Sequence, residues 1–489
     1  MSPVHAIRVK PANSLTVRQD GDFVLYWMIA SRRITWNFAL DRAVEWAEKL
    51  QKPLLILEAL RCRYPWASDR VQRFLLDGMA ENACRLENTG VLYYPYVEPK
   101  PNVGKGLLAA IASRACLVVT DDFPCFFIPR MAASAARQVP VLLEAVDSNG
   151  LLPMRQADKA YPTAHAFRRF LQKELPRHLM EFPKPNALLN AKFPTAKSLP
   201  REIAKTWPIA SPDSLNWDQG LSAGIPLNQG VSRAGTRGGS TAAQKLLRAF
   251  LQNKLSTYAH ARNEPAQQAT SELSPYLHFG HISVHQIFSE LTTQEGWSPS
   301  HLALRATGSR SGWWGASQET EAFLDQVITW RELGFNCCQM RKDYDQFESL
   351  PEWALKTLRL HARDERSYVY SLAKFERAKT HDPLWNAAQT QLLREGRIHN
   401  YLRMLWGKKI IEWSRTPEKS MEIMIELNNK YALDGRDPNS YSGIFWCLGR
   451  YDHPWGPERP VFGTVRYMSS ENTARKFNVR GYIKQYSST

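Results

Sequence analysis

Apolar and polar positions alternate with two different grammars along this chain. From about residue 22 to 150, short apolar runs are separated by amphipathic ones: FVLYWMIA, a helical pattern over 37–50, PLLILEAL, a helical pattern over 69–87, then VLYYPYV. The rhythm continues with a helix from about 105, CLVVTDDF, a helix near 128–137, and VPVLLEAV. Five buried-type strands alternating with helices predict a doubly wound, parallel five-stranded sheet. Beyond Thr241 strand-like runs almost vanish and helical periodicity takes over, so an all-α second half is expected. Between them, 182–240 is rich in Pro, Ser, Gly and Asn and ends in SRAGTRGGS, which reads as a connector lying over the surface. The expected division is an α/β domain over 1–181, the connector, and a helical domain over 241–489.

Length agrees with two domains, since 489 residues exceed what one core usually holds. Sixty-three Lys and Arg against 47 Asp and Glu leave a net charge of +16, which points to an anionic partner such as nucleic acid, although a merely basic enzyme would look the same. The seven cysteines form no CxxC pair and no zinc spacing, so neither metal nor disulfide is expected. No apolar h-region follows Met1 and no run of about 18 apolar residues occurs, which predicts a cytoplasmic protein without a membrane span. No GxGxxG follows the first strand, and NVGKGLL lacks the spacing of a phosphate loop, so a standard dinucleotide or nucleoside triphosphate site is not indicated.

Ten of the sixteen tryptophans fall between Trp297 and Trp455, and the densest chemistry lies in WNAAQTQLLREGRIHNYLRMLWGKKIIEW, from Trp385 to Trp413. Gly396 divides this stretch into two helices. In the second, Trp406 and Trp413 are seven residues apart, nearly two turns, and so share one face about 10 Å apart along the axis. Such indoles can pass an electron hole, or they can simply fill a core. In TYAHARNEPAQQATSELSPYLHFGHIS, Tyr258 and Arg262 lie one turn apart, and Thr270, Ser271 and Ser274 lead into a helix start. Those hydroxyls with free backbone amides suit a phosphate, and equally an ordinary helix cap. The turn Asp434, Gly435, Arg436, Asp437, Pro438, Asn439 offers groups for ring N–H or ribose hydroxyls, or is a surface Asx turn. Trp330, Trp446 and Trp455 are candidate stacking platforms. From residue 450 onward seven basic residues face three acids, 7 − 3 = +4, a charge that could hold phosphates or be only a solvated face.

Taken together, SELSPYLHFGHIS, FLDQVITWREL, DPLWNAAQ, GRIHNYLRMLWGKKIIEW, NNKYALDGRDPN and ERPVFGTVRYMS resemble the photolyase and cryptochrome family, specifically class II cyclobutane pyrimidine dimer photolyases. The resemblance covers the helical half, with VLYWM and WNFAL as weaker echoes in the first. It implies a U-shaped FAD held by Tyr258, Thr270, Ser271, Glu272, Leu273 and Ser274, with Asp434 and Arg436 along the flavin and Asn428 at its reactive ring nitrogen. It also implies a photoreduction chain with Trp406 nearest the flavin, Trp385 between, and Trp413 toward solvent. Trp330 and Trp446 would wall a flipped-out dimer, with Gln326, Met404 and Trp455 nearby and Arg262, Arg450 and Arg466 on DNA phosphates. The implied activity is light-driven repair of ultraviolet-damaged DNA by a monomer; a cryptochrome-like FAD photoreceptor is the alternative. A second, antenna chromophore of deazaflavin type is a further implication. Two departures bear on this: Asp325 and Gln326 stand where class II relatives commonly carry two acids, and ASRRITWNFAL replaces the usual charged motif after the first strand.

Overall fold

The computed structural model describes residues 4–195, 198–211, 215 and 230–487. Its first part is a six-stranded sheet in the order β1-β6-β5-β2-β3-β4. The strands are β1 (Val9–Pro11), β2 (Phe23–Met28), β3 (Leu54–Leu60), β4 (Leu92–Val97), β5 (Ala115–Asp121) and β6 (Leu143–Val146). Five of them pair in parallel and correspond to the expected runs, while β1 adds an antiparallel edge on β6. The expected five-stranded sheet is therefore corrected to six.

All six residues of β2 and all seven of β5 are buried, as parallel strands covered on both faces require. The covering helices are α1 (Phe38–Leu50), α2 (Asp69–Leu86), α3 (Leu107–Ala112) and α4 (Ile128–Gln138). Asn37 caps α1 by accepting from the amides of Ala39 and Leu40, and Ser68 does the same for α2 through Val71. The sheet reverses its winding direction between β2 and β5, and the loop leaving β2 there is pinned by one carboxylate: Asp121 Oδ2 accepts from the amides of Ile29, Ala30 and Ser31 at 2.7–3.0 Å.

The remainder is helical, built around one large core that includes Trp385, Trp406 and Trp413. Of the connector, 196–197, 212–214 and 216–229 lie outside the described residues. Its described parts run along α1, where Lys184 N donates to Asp41, and form a short helix, Arg201–Thr206, beside α3. The two halves are joined by buried charges. Arg70 of α2 donates to the carbonyls of Leu392, Leu393 and Tyr431, and Glu332 accepts the amides of Leu151 and Leu152. The approach is close enough that a Cβ on Gly280, at φ +69°, would meet the Ala30 carbonyl oxygen at 2.0 Å. Among the described residues no helix is long and apolar enough to cross a membrane.

Candidate active site

A cavity of about 550 Å³ opens in the helical half, a volume in the range of sites for large organic ligands. It is lined by Tyr258, Arg262, Thr270 to Ser274, Gln326, Trp330, Met404, Asp434 and Trp446, so residues scattered over nearly 190 positions converge on it. One wall is a helix that changes its winding. Gln318–Leu324 is α-helical from its Ser317 cap, Asp325–Trp330 is a π-turn, and Arg331–Met340 resumes the α-helix. Wider turns of this kind recur at functional sites because they re-aim side chains without ending the helix. Here the π-turn carries Asp325, Gln326 and Trp330, all three at the cavity. The Asp325 carboxylate is held at 2.8 Å by Arg168, both nearly buried, whereas Gln326 is free to use its amide.

At the opposite wall the turn 270–274 is bent by Glu272 at φ +61°, whose carboxylate bridges Lys254 (3.6 Å) and Arg397 (3.0 Å). The helix Ser274–His278 that follows has no side-chain cap. Tyr258 is buried, its phenol pushed up by that burial, and the Arg262 guanidinium sits 5.7 Å from its ring. Asp434 is paired with Arg403 at 3.2 Å. Arg262 Nε and both ring nitrogens of His399 are buried with no hydrogen-bond partner, and both residues line the cavity. Burial, then the neighbouring Arg397, pushes the His399 imidazole down to about 4, so it is neutral at physiological pH. Orphaned polar atoms of this kind, two N–H donors and one imidazole acceptor, cost free energy unless a ligand satisfies them, and a nucleotide offers phosphate acceptors together with ribose hydroxyls that can donate. The residues present therefore fit a flavin-adenine dinucleotide.

Behind this cavity lie the three tryptophans of the long motif. Gly396, at φ +71°, ends the helix Pro383–Glu395, and Asn400–Trp413 follows. Trp385 touches both of the others: its Nε1 donates to the Trp406 carbonyl at 3.0 Å, and its ring meets Trp413 edge-on at 6.0 Å. Trp406 Nε1 donates to Gln389 at 2.8 Å. All three are at most 2% exposed, so Trp413 is not itself at the surface; Tyr370 and His381 pack against its outer side.

Several expected placements are corrected. Trp330 and Trp446, expected as walls for a lesion, are stacked on each other (5.1 Å, 29°) and form one contiguous aromatic face. Asn428 does not line the cavity; its Nδ2 donates to Ser440, which does. Arg436 turns its guanidinium back onto the carbonyls of Asn429, Ala432 and Leu433, and is buried on the far side of the turn from Asp434. Arg450 is 4% exposed, bonded to the Tyr344 carbonyl and Ser349 Oγ and lying over Phe445, so it is a strut and not a phosphate contact. Trp455 stands outside the cavity with Arg466 stacked at 5.0 Å; Arg466 is exposed and does reach the cavity rim. Sequence reasoning missed His399, Arg403 and the C-terminal Tyr482 and Tyr486, which also line the cavity. The helical register of the motif could have shown that Arg403 precedes Trp406 by one turn on the ligand side.

A second cavity of about 560 Å³ lies at the carboxyl ends of β2, β3 and β4, lined by Trp27, Leu57, Tyr64, Tyr96, Phe127 and Phe279 among others. In doubly wound sheets, ligands bind in this crevice, where the strand order reverses. Only a thin wall divides the two cavities: Ser274 and Asp434 face the first, His278 and Arg436 the second, and His278 Nδ1 meets Asp437 at 3.3 Å within it.

No family model matches the chain. Curated relatives do. It is 35% identical over 481 residues to a deoxyribodipyrimidine photo-lyase of Methanothermobacter thermautotrophicus, covering 98% of both chains. A deoxyribodipyrimidine photo-lyase of Potorous tridactylus is 32% identical over 472 residues, covering 95% of this chain and 81% of the relative. Among solved structures, a class III photolyase of Agrobacterium tumefaciens superposes with a TM-score of 0.66 at 18% identity, covering 97% of this chain and 87% of that one, which speaks to the fold alone.

Proposed function

Since this chain belongs to the deoxyribodipyrimidine photo-lyase family, a family of light-dependent DNA repair enzymes, we propose that it splits cyclobutane pyrimidine dimers in DNA by electron transfer, as a class II member. The single observation that carries the reading is the convergence of buried polar atoms without partners, on Arg262 and His399, with a stacked indole pair in one cavity. FAD would be held by Tyr258, the turn 270–274, Arg262, His399 and the Arg403–Asp434 pair. When bound and reduced, it supplies the light-excited electron donor.

The chain's own residues do the rest. A dimer stacks poorly within the duplex, so extruding it costs less than extruding a sound base, and the Trp330–Trp446 face gives the extruded lesion an apolar surface to lie on. Gln326 donates a hydrogen bond toward the lesion's carbonyls without adding charge. Arg466, exposed at the rim, pairs with phosphate and contributes salt-dependent affinity. Trp406, Trp385 and Trp413 conduct a hole outward when the cofactor has to be reduced. The second cavity, aromatic and separated from the first by one turn of helix and one loop, is our site for an antenna chromophore.

The test is loss of cyclobutane dimers from ultraviolet-damaged oligonucleotide, comparing the reduced holoenzyme in near-ultraviolet light and in the dark. Light-dependent loss is expected. A holoenzyme that photoreduces its flavin but leaves dimers intact in the light would overturn the repair reading in favour of a photoreceptor.

A further inference from the structure

A lysine is buried whole behind the aromatic face of the main cavity. Lys408, on the helix Asn400–Trp413, is 0% exposed. Its Nζ donates to the Cys447 carbonyl at 2.6 Å, and among the described residues no carboxylate lies within ion-pair distance of it. Burial pushes this ammonium down to about 8, and holding it without a counter-ion costs folding free energy. Cys447 closes the helix Pro438–Cys447, and the residue before it is Trp446, stacked on Trp330. The amides that follow the helix take the carbonyls of Phe445 and Trp446, which leaves that of Cys447 to Lys408. Cys447 Sγ in turn touches Met404 Sδ, and Met404 lines the cavity. Of the groups that face the ammonium, Cys447 and Asp452 favour its charge, whereas Arg466 at the cavity rim opposes it. On its own helix Arg403 faces Cys447, and Lys409 is engaged by Glu412 at 2.8 Å. The C-terminal end of an α-helix carries about half a negative charge from its unpaired carbonyls. Set behind the Trp330–Trp446 face, that end repels negative charge on whatever lies there, and the Lys408 ammonium cancels it.

We propose that Lys408 is a positioning residue for dimer splitting, its charge lowering the energy of the lesion while the lesion holds an extra electron. The proposal rests on the repair reading of this cavity. In that reaction one electron reaches the lesion, the two C–C bonds that join the pyrimidines break, and the electron returns to its donor, so nothing is oxidised or reduced in sum. No atom or proton leaves Lys408 in any step. It acts through its field and through the helix end that it closes. Without its charge the bare carbonyl end would raise the energy of the negatively charged lesion and favour return of the electron before the second bond has broken.

The experiment is light-driven dimer splitting by the reduced holoenzyme at saturating dimer-containing oligonucleotide, followed from pH 7 to 9.5, with the Kd for the same oligonucleotide and the Tm measured beside it. Raising the pH through about 8 removes the charge of Lys408 and keeps its hydrogen bond, since a neutral amine still donates to the Cys447 carbonyl. The splitting rate of the unmodified enzyme should therefore fall about 10-fold across the range. Lys408→Met keeps the length of the side chain and loses its charge. It should split dimers at the lower rate at every pH, with the lesion Kd unchanged and the Tm not lowered, because the cost of the buried charge is removed with it. A splitting rate of the unmodified enzyme that is flat over the range overturns the proposal whether or not the variant folds. So does a Lys408→Met enzyme that splits dimers at the unmodified rate, or one whose loss lies wholly in Kd or Tm, which would make Lys408 a structural strut. A holoenzyme that binds the lesion and splits no dimers in the light at any pH overturns the repair reading, and this proposal with it.

Discussion

Replacing Trp330 by alanine separates lesion recognition from general DNA affinity. Its ring stacks on Trp446 at 5.1 Å and 29°, so the substitution removes half of the aromatic face at the cavity. Stacking of a base on an aromatic side chain contributes about 1–3 kcal/mol by alanine substitution, which corresponds to an about 5- to 160-fold weaker Kd for a dimer-containing oligonucleotide. The folded protein itself loses the indole pair, about 0.5–1.5 kcal/mol, too little to unfold it, because Trp330 is only half-buried and the neighbouring helical turns are packed independently. The phosphate contacts are untouched, so a plot of log Kd against log salt concentration should keep its slope and shift bodily. Fluorescence anisotropy with damaged and undamaged duplexes at four salt concentrations makes the measurement: the damaged duplex should shift and the undamaged one should not. Equal losses for both, or a changed slope with damaged DNA, would refute the assignment of Trp330 to the lesion.

Two arginines of the tail should part company in the same assay. Arg466→Gln should reduce the salt slope by about 0.9, the value of one released counterion, with stability unchanged. Arg450→Gln should leave the slope alone and lower Tm, since it strips charged hydrogen bonds of about 1.5–3 kcal/mol each from Tyr344 and Ser349; the reverse pattern would restore Arg450 to the DNA interface. His281 should make the enzyme acid-labile: burial, then Arg32 and Arg33, push its imidazole down to about 3, while the unfolded chain protonates near 6.5. Its stabilising neutral form is thus fully effective above about pH 6.5 and is lost as pH falls toward 3, on the order of 5 kcal/mol in all. Proton NMR of this imidazole showing titration near 6 in the folded protein would contradict that.

Much of this was legible in the chain, and what was not has physical reasons. The five buried strands announced themselves because both faces of a parallel sheet are apolar. β1 did not, since Val9–Pro11 has no fully buried residue and is a three-residue edge paired only with β6. The π-turn at Asp325–Trp330 leaves no trace in hydrophobic periodicity: over six residues, one extra residue per turn hardly moves the apolar stripe. Arg450 and Arg466 look alike in a charge count, and only the chain's return after Cys447 separates a buried strut from an exposed contact. Arg436 lies off the main cavity for a related reason: its own turn offers three carbonyls that take up its guanidinium. His399 carried no signal as a lone histidine, and only its burial without partners marks it.

The charge balance of the main cavity gives Gln326 its meaning. Four carboxylates line the cavity and each already has a cationic or polar partner: Glu272 with Arg397 and Lys254, Asp325 with Arg168, Asp434 with Arg403, and Asp437 with His278 and the Asn439 amide. A lesion bound here would therefore meet no unpaired carboxylate, and Gln326 would offer it an N–H in every protonation state of its surroundings. A carboxylate in its place would lie close to DNA phosphates and partly desolvated, which raises its pKa above the usual range near 4.3, while Arg262, Arg310 and Arg466 of the same lining oppose part of that rise. Gln326→Glu should then bind dimer-containing DNA like the unmodified enzyme at low pH, where its protonated acid donates the same hydrogen bond, and progressively less well as the group ionises. Lesion affinity followed from pH 5 to 8 at fixed salt, as a ratio of variant to unmodified enzyme, cancels every titration the two share. A ratio that stays constant across that range would show that position 326 does not face the lesion.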